Sequence, residues 1–373
     1  MSVVVAGSSI LEQWQEETGA MVGIQSTAPV EVLLTIVGDA IQRQNAVNPE
    51  EWTLSDPWPT PQGVAFAPEC ETEETLMAVV EEVAAGLEAA GTDARIGPLT
   101  MDEEPWPDQW HNDGYCAAMT IVGKPYWDAP GDPGGRRLMQ RMWDDDPVAR
   151  AQVIEHAVRW CDVEDSDLWL GAGLSTFKIP REHAVELLTR SLDTGPKCDI
   201  VAARDAGLVR RVEFGYNGFV IYEVGGTSRP EWLACVDDLA SVLLDVHPLI
   251  EWGYILRRPK GVMGLGPRTS HIVHDAMWEP YEGQVALLGY CQDPRRFPDL
   301  VLDVYGIQVL GRGHDISTLG DGWDVRDLSQ GRKLVSSMDP AAWFANAPSL
   351  DTLLAARKSF GTLVDPIWSP ENN

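Results

Sequence analysis

Ser270-His271-Ile272-Val273-His274-Asp275 sets two histidines three residues apart with a carboxylate alongside. Side chains at that spacing share a helix face, so His271 and His274, with His314 or Asp315, are the residues that could hold a metal ion. A structural zinc site needs four ligands and a catalytic one three, whereas only a pair stands together here. Neither a metal nor another cofactor is expected. Gly261-Val262-Met263-Gly264-Leu265-Gly266-Pro267-Arg268 is glycine-rich and adjoins Arg257, Arg258 and Lys260. The backbone N–H groups of such a loop cradle phosphate when they open a helix, but Pro267 removes one donor and no Gly-Lys-Ser or Gly-Lys-Thr follows. Arg257, Arg258, Lys260 and Arg268 are therefore candidate anion ligands whose alternative role is to pair with the chain's own carboxylates. Gly171-Ala172-Gly173-Leu174-Ser175 has the composition of a nucleophile elbow without its order, because Ser175 lies outside the glycines rather than between them. Asp102-Glu103-Glu104 and Asp144-Asp145-Asp146 offer carboxylates for acid–base or Mg2+ chemistry. Consecutive acids in an acidic chain read instead as solvated faces, and Asp146 as a helix cap.

Tryptophan and charge are more informative. The chain has 15 tryptophans, several beside carboxylates in proline-rich segments such as Glu51-Trp52, Asp56-Pro57-Trp58 and Glu104-Pro105-Trp106-Pro107-Asp108-Gln109-Trp110. Aromatic anchors ringed by acid suit a surface that recognises a basic partner, and Trp52, Trp58, Asp102, Glu103, Glu104, Trp106, Asp108 and Trp110 are assigned to it. The competing reading is that these rings close the open face of each sheet as core. Formal net charge is -29, and residues 1–150 hold 26 acidic and 7 basic side chains. A field of that sign repels nucleic acid and anionic lipid and steers basic proteins inward, though charge of this kind also serves solubility alone. The opening Met1 to Gly7 lacks a basic n-region, and no apolar run approaches the roughly 20 residues of a membrane span, so a cytoplasmic protein is expected. Six cysteines lie far apart with no C-x-x-C, which predicts reduced, buried thiols rather than a zinc ribbon or disulfide framework.

The elements that would position these residues come as an α+β pattern written twice. Thr27, Val32-Leu33-Leu34-Thr35, Gly63-Val64-Ala65-Phe66, Val80-Glu81-Glu82-Val83 and Ile96-Gly97 return as Thr176, Glu186-Leu187-Leu188-Thr189, Gly218-Phe219-Val220-Ile221, Val236-Asp237-Asp238-Leu239 and Trp252-Gly253. Each copy reads strand, helix, strand, strand, helix, strand, the ferredoxin-like βαββαβ order, followed by an extra strand and helix. In the first copy a helix after Pro29 carries the stripe Val32, Leu33, Ile36, Val37, Ala40 and Ile41, and a second runs from Glu73 until Gly91 stops it. In the second, strand 168–171 leads to a helix from Pro180, a hairpin joins 211–214 to 219–222, and Pro230–Val246 precedes the last strand. Tyr115–Val122 and Gln284–Tyr290 are the extra strands; Asp146 with Pro147, and Ser349, open the extra helices. The boundaries are 1–162 for an acidic first unit, 163–365 for its pseudo-repeat and 366–373 for a short tail.

An acidic chain of two ferredoxin-like units without a catalytic constellation, with the strand-to-helix entry Leu168-Trp169-Leu170-Gly171 through Leu188, resembles the immunity proteins that bacteria keep against polymorphic or contact-dependent toxins, while the segment Tyr305 to Leu310 is similar to uncharacterised actinobacterial proteins. That resemblance implies a non-enzymatic cytoplasmic protein that neutralises or chaperones a basic protein partner such as a toxin. It carries over no residue roles. The alternatives are an enzyme drawing on His271, His274, His314 and the Arg257-Arg258-Lys260 cluster between the units, and an accessory protein docking within a larger assembly. Reversing Asp102, Glu103 and Glu104 to lysine is expected to slow association with a basic partner at low salt; an unchanged association rate would remove this segment from the interface.

Overall fold

The computed structural model describes residues 2–17, 20–47, 53–54, 57–70, 72–99, 114–121, 146–173, 175–194, 198–204, 207–214, 219–224, 232–258, 300–301, 303–317, 319–345 and 348–364. Trp52, Asp102, Glu103, Glu104, Trp106, Asp108, Trp110, Lys260, Arg268, His271 and His274 lie outside them, as does the strand expected at Gln284–Tyr290. The chain is an α+β protein of two compact units: Met1–Glu104 with Trp169–Asp199, and Pro105–Leu168 with Ile200–Asn373. This division differs from a boundary near residue 163. Residues 105–162 fold with the second unit, and 169–199 return to the first.

The first unit opens with β1 (Val3–Val5) and α1 (Gly7–Glu17), then β2 (Val22–Ser26), α2 (Val30–Val47), β3 (Thr53–Leu54), β4 (Trp58–Thr60), β5 (Gly63–Phe66), β6 (Pro68–Glu69), α3 (Glu73–Ala89) and β7 (Ala94–Pro98). Its sheet runs β1-β7-β2-β5-β4. β1 is parallel to β7, while β2 is antiparallel to both β7 and β5, and β4 to β5. Alternation along the strands sorts the residues between two faces. Val22, Ile24, Val64, Phe66 and Ile96 meet Ile10, Leu33, Val37, Leu76, Val79, Val80, Val83 and Leu87 from the helices in one sealed core. Each such side chain contributes about 1.5–3 kcal/mol by leaving water. The end of α3 shows how sequence fixes a boundary. Thr72 accepts from Thr75 N at 3.2 Å, Glu73 and Glu74 lie in the positive first turn, and Gly91 at φ 67 closes the other end. There the Thr92 N–H donates to Leu87 O and the Gly91 N–H to Glu88 O, both at 3.0 Å, which satisfies carbonyls the helix leaves open.

The second unit begins with β8 (Gly114–Ile121) and α4 (Pro147–Cys161). Asp146 accepts from Ala149 N at 2.9 Å with Pro147 in the first turn, as the sequence predicts. The chain then forms β9 (Asp167–Ala172), β10 (Ser175–Lys178) and, in the first unit, α5 (Ala184–Thr194). Next come β11 (Cys198–Arg204), β12 (Gly207–Phe214), β13 (Phe219–Val224), α6 (Trp232–Val246) and β14 (Ile250–Arg258). β15 (Ile307–Leu310), β16 (Trp323–Asp327), β17 (Lys333–Ser337), α7 (Pro340–Phe344) and α8 (Leu350–Phe360) complete it. In this unit strands follow the order β11-β12-β13-β8-β14-β15-β17-β16. β12 and β13 form the expected hairpin, with Val212 opposite Tyr222. The other side of β13, however, pairs with β8, and β8 pairs with β14. A ferredoxin-like second copy beginning at strand 168–171 would set β9 in this place, whereas β9 forms a hairpin with β10. A long, uninterrupted partner was available in β8, and strand pairing is decided by such non-local partners rather than by order along the chain.

On α2 the buried side chains are Val30, Leu33, Val37, Ala40 and Ile41, while Val32 is 41% exposed and Leu34 sits at the rim. Leu188 on α5 is fully buried. Leu33→Ala and Leu188→Ala are each expected to cost about 2–5 kcal/mol in urea unfolding, and Leu34→Ala clearly less. An equal loss at Leu34 would contradict this assignment of the helix face.

Candidate functional site

The negative charge of the first unit lies in its first segment: residues 1–104 hold 19 acidic and 2 basic side chains, whereas residues 169–199 hold 4 of each. Because α1, α2 and α3 turn their apolar stripes toward the sheet, their carboxylates point outward, and Glu12, Glu31, Asp39, Glu73, Glu74, Glu81 and Glu88 are all exposed. The cation on this layer, Arg43, is tied to Glu82, which also accepts from Gln44 Nε2 at 2.6 Å. These bonds, that from Arg43 foremost, hold the Glu82 carboxyl below its ordinary range. The other exposed carboxylates of this layer have no cationic partner among the described residues.

Trp58 belongs to a different environment from that assigned by sequence. It is 2% exposed, packed with Ala65 and Ala172 and flanked by Met21, Ala67 and Leu99. Its Nε1–H donates to Ser175 Oγ at 2.7 Å, and that hydroxyl donates in turn to Ala172 O at 3.1 Å. Gly173 has φ 59, and a Cβ there would stand 2.4 Å from Trp58 Cδ2. The glycine–serine stretch that mimics a nucleophile elbow is thus the turn of the β9–β10 hairpin, shaped to accept an indole. Trp58 is not a partner anchor. Trp160, Trp169, Trp252 and Trp343 are buried likewise.

His314 is a loop staple rather than a metal ligand. Its Nδ1 accepts from Gly311 N at 2.8 Å and its Nε2 lies 3.3 Å from Leu300 O, so both ring nitrogens are used in place. Among the described residues no group of three or more His, Cys, Asp or Glu side chains is placed to hold a metal ion. Arg257 and Arg258 end β14. The described residues therefore bring none of the anion-binding or metal-binding candidates together into a site. Cys161, Cys198 and Cys235 are buried free thiols and Cys70 is a half-buried one, as the cysteine spacing predicts.

One constellation in the second unit escapes sequence reasoning altogether. His156 on α4 bonds through Nδ1 to the Tyr222 hydroxyl at 2.9 Å, and its Nε2 lies 3.6 Å from Asp245 Oδ2 on α6. Complete burial raises the Tyr222 phenol well above its ordinary value of 10.0, so the phenol stays protonated and donates to Nδ1. Neutral His156 then carries its proton on Nε2, toward Asp245. Trp160 packs edge-on against the Tyr222 ring at 5.2 Å and the Arg210 guanidinium lies 4.8 Å above Trp160. Such a carboxylate–imidazole–phenol series could relay a proton, but Tyr222 is fully buried, and the relay ends inside the core. Its role is to join α4 and α6 to the sheet.

No protein-family model matches this chain, and no curated protein matches it in sequence. A solved structure, the Pseudomonas aeruginosa T6SS protein PA0821, is similar over 72% of this chain and 78% of its own at 10% identity and a TM-score of 0.37. A likeness that slight decides nothing about fold or function here. No helix among the described residues is long and apolar enough to cross a membrane.

Burial lowers the His156 pKa below its ordinary 6.5, with Asp245 opposing and Arg159 reinforcing the shift. Above pH 6.5 the folded and unfolded chains both hold this histidine neutral. Below it the unfolded chain takes a proton that the folded one resists, so stability should fall as pH drops, by at most about 1.4 kcal/mol per pH unit from this group. His156→Gln should flatten that slope in denaturation measured between pH 5 and 7.5. An unchanged slope would show that His156 is not the group responsible.

Proposed function

We propose that this protein is a non-enzymatic, cytoplasmic binding protein that covers a basic protein partner, neutralising or chaperoning it in the manner of a bacterial immunity protein against a toxin. The observation that carries this reading is the one-sided helical layer of the first unit, where α1, α2 and α3 expose carboxylates and the basic Arg43 is already engaged by Glu82. By contrast, several cations among the described residues of the second unit are neutralised internally. Arg357 is held bidentately by Asp303 at 2.7 and 2.8 Å, Arg211 lies 2.8 Å from Glu213 and 3.6 Å from Glu223, and Arg210 lies 3.0 Å from Asp238. Carboxylates held without counter-charge repel one another in the isolated protein, and a basic partner relieves that repulsion while being steered toward it.

The finer architecture belongs to the same proposal: each unit is built on one ferredoxin-like βαββαβ module, descended from a duplication. In the first unit the order β7-β2-β5-β4, antiparallel throughout with α2 and α3 on one face, supports it. In the second, the equivalent block is β14-β8-β13-β12, with α4 and α6 meeting at Tyr222. The later sequence matches, Gly63–Phe66 with Gly218–Ile221 and Val80–Val83 with Val236–Leu239, fall on equivalent elements of the two blocks. On this reading β9, β10 and α5 are an insertion between the first helix and the hairpin of the second module, and the apparent match of Leu188 to the first copy is fortuitous.

Capture on the immobilised protein from native lysate at low salt, followed by elution with rising salt, tests the function. A single basic protein leaving with 1:1 stoichiometry at moderate salt is the expected result. Elution of acidic proteins or nucleic acid, or of nothing, would overturn it.

A further inference from the structure

The face of the first sheet turned away from α2 and α3 is only partly closed. Trp58, Ala65 and Ala172 seal one end, and beside them the sheet carries Gly23 directly opposite Gly97 and Gln25 opposite Arg95. Two glycines facing each other across neighbouring strands remove the side chains that would fill that face. A Cβ on Gly23 would stand 3.1 Å from Leu99 Cδ1, which covers that position, whereas one on Gly97 would meet Ala6 Cβ at an ordinary 3.6 Å. The result is a hollow of about 260 Å³ with Ser9, Gln25, Thr60, Gln62 and Arg95 in its lining.

Thr60 is only 3% exposed, whereas Gln25, Gln62 and Arg95 open to solvent, and none of the four side chains makes a hydrogen bond or ion pair with another described residue. Arg95 is one of two basic residues among 19 acids in residues 1–104, and the other, Arg43, has found its carboxylate. An arginine with no carboxylate partner among the described residues, set beside neutral donors in an open hollow, is placed for an acid supplied from outside. We propose that this hollow binds a small carboxylate, with the Arg95 guanidinium forking onto the two oxygens and the Gln25 and Gln62 amides and the Thr60 hydroxyl completing the hydrogen bonds. The volume lies below that of pockets for drug-sized ligands and suits a group the size of an amino acid. The net negative charge of residues 1–104 disfavours a dianion more than a monoanion, which selects carboxylate over phosphate. The group is either a free small acid or the carboxyl terminus of a peptide, and the hollow lies on the face of the sheet opposite α2 and α3, so its occupancy does not depend on the partner proposed above.

Titration of the 15N-arginine-labelled protein with glycine, N-acetylglycine, N-acetylglycine amide and inorganic phosphate, following the Arg95 Nε–H resonance, tests this directly. A saturable shift with glycine or N-acetylglycine but not with the amide is expected. Preference for N-acetylglycine identifies a peptide terminus as the source, and preference for glycine a free amino acid. Arg95→Gln should raise the apparent Kd at least tenfold for either probe, and Gly97→Ala, which adds a methyl group without a clash, should weaken binding while leaving thermal unfolding unchanged. No saturable shift with either carboxylate, a response to the amide equal to that of the acid, or tighter binding of phosphate would overturn the proposal.

Discussion

The first unit depends on one indole. Trp58 begins β4, and its hydrogen-bond acceptor, Ser175, is 117 residues further along the chain. Between them the chain leaves the unit, builds β8 and α4, and returns. The β9–β10 hairpin is held to the first sheet by that buried bond, by the contact of Gly173 with the ring, and by the Ala65–Ala172 packing beneath it. A buried indole N–H without an acceptor costs about 1–3 kcal/mol, so the hairpin and the sheet each satisfy a need of the other. The same contact closes one end of the sheet's second face and leaves the remainder as the polar hollow around Arg95.

From this arrangement follows a division of charge. The helices α2 and α3 occupy one face of the first sheet, their apolar stripes inward and their carboxylates outward, so much of the acidity of residues 1–104 becomes a property of one layer. The opposite face is nearly neutral and carries the arginine without a described partner. In the second unit several described cations are drawn into internal pairs, two of these pairings deeply buried: Arg357 with Asp303, and Arg211 with Glu213 and Glu223. Buried pairs of this kind stabilise little in net terms, but removing one partner leaves a charge that the interior cannot solvate, which fixes their geometry. Arg357 thereby ties α8 to residue 303, while Arg332 Nε donates to Ile250 O at 2.9 Å and ties β17 to the start of β14.

Elements set by local chemistry were legible in the sequence. The Thr72 and Gly91 ends of α3, the Asp146–Pro147 start of α4, the Ser349 cap of α8 and the β12–β13 hairpin all depend on residues within a few positions of one another. What local chemistry does not encode was misread or missed. The place of β8 between β13 and β14 is a choice among distant partners, and α+β periodicity is silent on it. β1 and α1 were passed over because Val3–Val5 is too short to show alternation. The glycine–serine hairpin read as a failed catalytic turn because its partner, Trp58, is remote in sequence. His156, Tyr222 and Asp245 share no spacing at all, and their convergence exists only once α4 and α6 are laid on the sheet.

The most direct measurement is carbodiimide labelling of carboxylates, read by peptide mass spectrometry, on the protein alone and saturated with the basic protein that it captures. Glu12, Glu74, Glu81 and Glu88 are exposed and should label readily in the free protein and lose most of that reactivity in the complex. Unchanged labelling of these four, with protection confined to carboxylates of the second unit such as Asp324 and Asp327, would contradict the assignment of the helical layer as the binding surface.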